Sequence, residues 1–134
     1  MVNLSVVTHG KFCEGLLDSV EMIMGDKNDI TPISLTPECG LEELKGIIHS
    51  QLEACKAEEC LIFVDLFGAT PFNASVMNSR DFSTMNKKIH IISGINLPIL
   101  IEAKSLRETM DLDTLYEHLL NIGKESIVGY VYSE

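Results

Sequence analysis

Cys60-Leu61-Ile62-Phe63-Val64-Asp65-Leu66-Phe67-Gly68-Ala69-Thr70-Pro71-Phe72-Asn73 is the stretch whose reading decides the fold. Its first five residues have no polar interruption, the pattern of a strand covered on both faces, as in a parallel sheet with helices above and below. The run stops at Asp65, turns through Gly68, and meets Pro71, a residue suited to the first turn of a helix with Thr70 as its N-cap. The helix then continues through Ala74 and Met77. A strand that ends in a polar residue and a loop feeding a helix is half of a βαβ unit, and such units impose right-handed crossovers.

Outward from this stretch the same grammar repeats. Residues 2–7 form a second apolar run, which stops at Thr8-His9-Gly10. Over residues 11–24, Phe12, Leu16, Leu17, Val20, Ile23 and Met24 recur at three- and four-residue intervals, and Gly25 follows where a helix commonly turns left-handed. Residues 30–35 read as a short strand between Asn28-Asp29 and Pro37. Leu41, Leu44, Ile47, Ile48, Leu52 and Cys55 mark a second amphipathic helix, with Glu42, Glu43, Lys45 and Gln51 expected on its wet face. Residues 88–93 are the fourth strand, Gly94-Ile95-Asn96 the turn, and Pro98 opens a helix through Ile101 and Leu106. Leu112, Leu115, Leu119 and Leu120 make one more, ended by Gly123. Residues 127–132 close the chain as a strand with no helix after it. That strand is expected antiparallel at a sheet edge or exchanged onto another subunit. The expected fold is one α/β domain spanning residues 1–134, a doubly wound, mainly parallel sheet of order 2-1-3-4 with helices on both faces.

Composition narrows the function. The 134 residues are 46% hydrophobic, enough to fold one core without disulfides or metal. Twenty acidic against ten basic residues give a formal charge of −10, which opposes nucleic-acid binding. Cys13, Cys39, Cys55 and Cys60 form no C-x-x-C pair and have no histidine at zinc spacing. With no secretory leader at the start and no apolar run near the roughly 20 residues of a membrane helix, the expectation is a reduced, cytoplasmic protein. The end at Glu134, without a Pro- or Ala-rich tether, suggests a separate polypeptide.

In order 2-1-3-4 the first and third strands are neighbours whose connections leave on opposite faces, so a crevice opens at their carboxyl ends. His9 and Asp65 stand at its lip. Imidazole can divide labour between its nitrogens, one proton held by an acceptor while the other lone pair attacks, and Asp65 is such an acceptor. The backbone N–H groups of Gly68, Ala69 and Thr70, the Thr70 hydroxyl and the positive helix start at Pro71 favour a tetrahedral oxyanion beside it. Together they imply a phosphoryl group carried on His9, held by the loop from Gly68 to Thr70, with Asp65 fixing the tautomer. Taken singly, each residue has an ordinary explanation: a capping histidine, an Asx-turn, a helix start. Joint placement favours function.

The remaining reactive side chains read as structure: His49 and His118 as solvated surface, His90 as a strand residue, Cys13 as packing, and Met22, Met24, Met77, Met85 and Met110 as core filler. Three other functions stay open. A receiver-like domain would carry phosphate on Asp65, but needs acidic residues at the end of the first strand, where Thr8 and His9 stand. A hydrolase would use His9 or Cys13 without any G-x-S-x-G turn. A flavodoxin-like interaction module would transfer nothing.

Thr8-His9-Gly10, the run from Val64 through Asp65 to Asn73, and Ser93-Gly94-Ile95-Asn96-Leu97-Pro98 together resemble the IIA component of the mannose-type family of the bacterial phosphoenolpyruvate-dependent sugar phosphotransferase system (PTS), in order and approximate spacing over nearly the whole chain. The resemblance implies an EIIA phosphotransferase that takes phosphate from the carrier HPr onto His9 and passes it to a IIB protein or domain. Membrane IIC and IID partners then take up the sugar. It implies attack by Nε2, an Nδ1–H held by Asp65, and a hydroxyl at Thr70 on the phosphoryl oxygens, with no metal or cofactor. It also implies a homodimer that exchanges the C-terminal strand. Ala69 replaces a glycine common in that loop, which would close a backbone angle open to glycine. Phe67 stands where the best-known members have tryptophan.

Overall fold

The computed structural model describes residues 1–26 and 29–134. Among the described residues nine elements follow one another: β1 (Asn3–His9), α1 (Phe12–Met24), β2 (Ile30–Leu35), α2 (Leu41–Ala54), β3 (Glu59–Val64), α3 (Thr70–Phe82), β4 (Lys88–Ile92), α4 (Leu97–Leu106) and α5 (Leu112–Glu125). The sheet order is β2-β1-β3-β4 and every pairing is parallel, as expected. Asn28, one of the pair expected to bound β2, lies outside the described residues.

Alternation along the central strands builds two cores at once. Leu4 and Val6 of β1, with Leu61 and Phe63 of β3, face the cluster formed with α1, α4 and α5. Val7, Ile62 and Val64 face the opposite cluster, with α2 and α3. Side chains of a strand point alternately to the two faces, so an uninterrupted apolar run fills both layers. All seven of these residues of β1 and β3 are 0% exposed.

Helix ends follow local chemistry. Gly25 sits at φ 84° and closes α1 with a left-handed turn, its N–H donating to the Glu21 carbonyl. Asn96 and Asp111 cap α4 and α5, their side chains accepting from the Ile99 and Thr114 N–H groups.

Several expectations are corrected. Thr70 is the first residue of α3, not its N-cap; Ala69 occupies the cap in an extended conformation, and no side chain caps this helix. Gly123 does not end α5, which runs on to Glu125. A Cβ there would meet Ile99 Cδ1 at 2.8 Å, so the glycine lets α5 approach α4 closely. Gln51 is not on a wet face: it reaches the sheet, accepting from Ser5 Oγ at 3.2 Å and donating to Thr31 Oγ1 at 3.5 Å. Met22 and Met85 are 87% and 55% exposed and fill no core. His49 is only partly solvated because its ring packs on Phe82, with centroids 4.8 Å apart. Residues 127–132 form no strand in this chain. Ile127, Val128, Tyr130 and Val131 are between 81% and 87% exposed, so the part of the expectation corrected is the edge position in this chain's own sheet.

Candidate functional site

The two central strands deliver His9 and Asp65 to one place. β1 and β3 are hydrogen-bonded neighbours through Val7 and Val64, so His9 and Asp65 emerge side by side at their carboxyl ends. His9 Nδ1 lies 2.7 Å from Asp65 Oδ2, and the His9 backbone N–H donates to the same oxygen at 2.9 Å. The other carboxylate oxygen accepts from the Leu66 N–H at 3.0 Å. A carboxylate can only accept, so the ring nitrogen facing it is the protonated one, and the lone pair of the neutral ring is on Nε2.

Exposure divides the pair by role. The imidazole is 46% exposed, whereas the Asp65 side chain is 12% exposed. Burial pushes the Asp65 carboxyl up, but the hydrogen bonds from the His9 backbone and ring, the attraction of that ring and the local backbone N–H outweigh it and hold the pKa below its usual value. Asp65 therefore stays a carboxylate at neutral pH, fixed by the β3 terminus and aimed at one ring nitrogen.

The surrounding turns are tied to the same strand ends. The Gly10 N–H donates to the Leu35 carbonyl at 2.8 Å. The Gly94 and Ile95 N–H groups donate to the Asp65 and Val64 carbonyls, each at 3.1 Å, so the turn after β4 holds the backbone on which the acid sits. Thr8, which is wholly buried, accepts from the Cys13 N–H at 2.8 Å and locks the start of α1 to the end of β1. Cys13 is buried with Sγ 3.2 Å from Ser34 Oγ, in agreement with a packing role. Thr8 was not singled out for this contact in the sequence; a hydroxyl in the last turn before a helix was the available signal.

The loop after Asp65 turns at Gly68, whose φ of 79° lies in the left-handed region. Its carbonyl accepts from Asn73 Nδ2 at 3.1 Å, which braces the loop against its own helix. Ala69 has φ −86° and ψ 178°, angles open to any residue, so the glycine commonly found there is not required. Because α3 has no side-chain cap, the N–H groups of its first turn and the Thr70 hydroxyl are available to an anion. Beside them Leu66 and Phe67 are 59% and 78% exposed, and Phe67 packs on Phe72 with ring centroids 4.6 Å apart. Among the described residues no group of three or more His, Cys, Asp or Glu side chains is gathered that could hold a metal ion.

Comparison with known proteins identifies the family. Residues 3–120 match the family described as PTS system fructose IIA component. The chain is similar to a fructose-specific EIIA component of Bacillus subtilis (strain 168), 32% identical over 94% of this chain and 84% of the relative. It is equally similar to a sorbose-specific EIIA component of Lacticaseibacillus casei, 32% identical over 92% of this chain and 87% of the relative. Among solved structures, a phosphotransferase system component EIIA from Streptococcus agalactiae superposes with a TM-score of 0.87 at 32% identity, covering 96% of this chain and 97% of the other. A mannose/sorbose specific IIA subunit from Enterococcus faecalis gives 0.85 at 28% identity, covering 98% and 96%.

Proposed function

Because this chain belongs to the mannose-type IIA family of the sugar phosphotransferase system, we propose that His9 is its phosphoryl-accepting residue and that Nε2 is the attacking atom. As a member of that family the chain is a phosphotransferase component and a phosphoryl carrier in sugar uptake. The observation that carries the assignment is the 2.7 Å contact of Asp65 with Nδ1 of a half-exposed ring, which leaves the opposite nitrogen facing outward with its lone pair.

The donor is phospho-HPr and the acceptor a histidine of a IIB component; membrane IIC and IID partners are reached only through IIB. In the first step the phosphorus–nitrogen bond of the donor breaks as the bond to His9 Nε2 forms. The donor imidazole departs as a neutral leaving group, and the His9 Nδ1 proton stays on the ring, donated to Asp65. The positive charge that develops on the phosphorylated His9 ring faces a carboxylate that is already ionised, so no reorganisation is needed at the moment of transfer. The loop N–H groups at Gly68, Ala69 and Thr70, with the Thr70 hydroxyl, receive the phosphoryl oxygens. Donor and acceptor are both imidazoles, so transfer is close to balanced and runs in both directions; positioning does most of the work. The sugar is selected downstream of this chain. The chain acts in the cytoplasm as a single domain, and among the described residues no helix is long and apolar enough to cross a membrane.

The chain acts as a homodimer in which residues 127–132 of each copy add to the sheet of the other. Among the described residues β4 pairs only with β3, and its outer side borders a groove of about 300 Å³ lined by Phe67, Phe72, Ile91 and Tyr116. The exposed run from Ile127 to Tyr132 has the β-branched and aromatic composition such an edge accepts. Sizing by light scattering should give twice the chain mass, and removal of residues 127–134 should give the monomer; a monomer at full length ends the dimer reading.

The carrier assignment is tested with phosphoenolpyruvate, enzyme I and HPr. Label on the protein should be acid-labile and alkali-stable, and absent from His9→Ala. Acid-stable label, or label that survives in His9→Ala, overturns it and favours a receiver-like use of Asp65.

A further inference from the structure

At the end of the sheet opposite His9, a second pair of reactive side chains meets where α2 hands the chain to β3. Cys55 is the C-cap residue of α2, half-exposed, and Cys60 is the second residue of β3, with no exposed surface. The four residues between them fold back on themselves. Lys87 Nζ donates to the Cys55 and Ala57 carbonyls, each at 2.7 Å, and Cys60 Sγ donates to that same Ala57 carbonyl at 3.8 Å. One ammonium thus gathers the start and middle of the loop, and the loop's middle receives the thiol at its end. The Cys55 side chain packs against the core cluster that contains Cys60, and the two thiols are close enough to act on each other directly.

We propose that Cys55 and Cys60 are a redox-modification site, closing to a reversible intrachain disulfide when the reduced protein meets a peroxide. The division of labour follows from access. Cys55 is the thiol that an oxidant can reach, and Cys60 is the one already waiting behind it. In the first step the Cys55 sulfur attacks one oxygen of the peroxide, the O–O bond breaks, and the thiol becomes a sulfenic acid with release of water. In the second, Cys60 sulfur displaces the hydroxyl from Cys55, forming the S–S bond and a second water. Two thiols are oxidised by two electrons, and one peroxide is reduced to two waters. Burial and then the neighbouring Cys55 push the Cys60 thiol up to about 11, while Lys87 opposes the shift. With no exposed surface, Cys60 is not the first target of an oxidant and reacts as the resolving partner of a modified neighbour. Cys13 is buried against Ser34, and Cys39 meets the Gly40 carbonyl on a different loop. The pair lies five residues along β3 from Asp65, roughly 16 Å at strand rise, so its chemistry does not use the His9 pocket.

Lys56 falls between the two cysteines, is exposed, and is a trypsin site, which gives a direct readout. The intact reduced protein is treated with hydrogen peroxide, remaining thiols are alkylated, and the digest is read by mass spectrometry. Residues 46–56 and 57–80 should appear as one disulfide-linked species that separates on reduction, with Cys13 and Cys39 alkylated. In Cys60→Ser the same treatment should leave Cys55 as a sulfenic acid trapped by dimedone. Cys55→Ala, at a half-exposed position on the rim of the core, serves as the folded control and should form no intrachain link to Cys60. Cys55 and Cys60 both recovered alkylated after peroxide has oxidised Cys39, or Cys55 joined to Cys39 or to a second chain, overturns the proposal.

Discussion

Two histidine–aspartate pairs occupy this sheet at the same separation, and they are built for different purposes. His9 Nδ1 meets Asp65 at 2.7 Å, and His90 Nε2 meets Asp113 at 2.7 Å. At His9 the acid is the buried partner: Asp65 is 12% exposed, and its oxygens are held by two backbone N–H groups besides the ring. At His90 the acid is the exposed one, Asp113 being 62% exposed and shared with the Lys88 ammonium. The His90 ring also packs edge-on against Tyr116, with centroids 5.0 Å apart. His9 stands at a strand's carboxyl end with a helix start nearby, whereas His90 lies within β4. A short contact between imidazole and carboxylate is therefore not by itself a reason to propose a phosphoryl site. What sets the His9 pair apart is an acid held by backbone N–H groups at a strand end.

The largest difference should appear in labelling from phospho-HPr. His9→Ala should remove all acid-labile phosphate, and His90→Ala should leave the stoichiometry at one per chain; label lost from both would erase the distinction. Next in size is the effect of the acids on transfer rate. Asp65→Asn should slow phosphorylation about 10- to 100-fold while still permitting it, the range seen when the partner that orients a functional histidine is lost. Asp113→Asn should leave the rate unchanged. An unaltered rate in Asp65→Asn would remove its orienting role. Smaller again is the loop: Gly68→Ala meets no atom within 4 Å, so its cost comes from a φ of 79° alone, about 1–2 kcal/mol for an L-residue held left-handed. Chemical denaturation of that variant reads the value directly, and no loss would mean that the loop relaxes.

What the sequence disclosed, and what it hid, follows the same division. The strands read clearly because an unbroken apolar run such as Cys60 to Val64 has to be covered on both sides, which fixes parallel order and the position of Asp65 at its end. His9 and Asp65 were legible as neighbours for that reason. The cap of α3 was not, because threonine before proline offers a capping hydroxyl, and only the backbone of Ala69 shows that the helix starts one residue earlier. Gln51 was misread as solvent-facing since period alone cannot see Ser5 and Thr31 reaching up from the sheet to meet it. Gly123 looked like a stop because glycine often is one, whereas here it answers to the Ile99 side chain across the helix contact. Contacts between elements distant in sequence are set by three-dimensional packing, to which local pattern is blind.

The smallest expected effect separates the two acids by pH and salt together. Hydrogen bonds from Lys88 and then His90 lower the Asp113 carboxyl below its usual value, and Asp65 is lowered by His9 against the opposing pull of burial. A carboxyl whose pKa is depressed in the folded state adds stability that is fully present above the unfolded value near 3.9 and is lost as pH falls through the folded pKa. Both acids therefore contribute at neutral pH, and both contributions fade below about pH 4. Salt should distinguish them. Asp113 faces water, and about 1 M salt shortens the screening length to roughly 3 Å, so its share should already be absent at neutral pH in high salt. Asp65 is held by backbone N–H groups within a mostly covered site and should keep its share. In thermal melts across roughly pH 2 to 5, the span over which a lowered aspartate and its unfolded counterpart titrate, Asp65→Asn should flatten the acid limb at low and high salt alike. Asp113→Asn should flatten it only at low salt, and equal salt sensitivity in the two variants would mean that the backbone contacts do not set Asp65 apart.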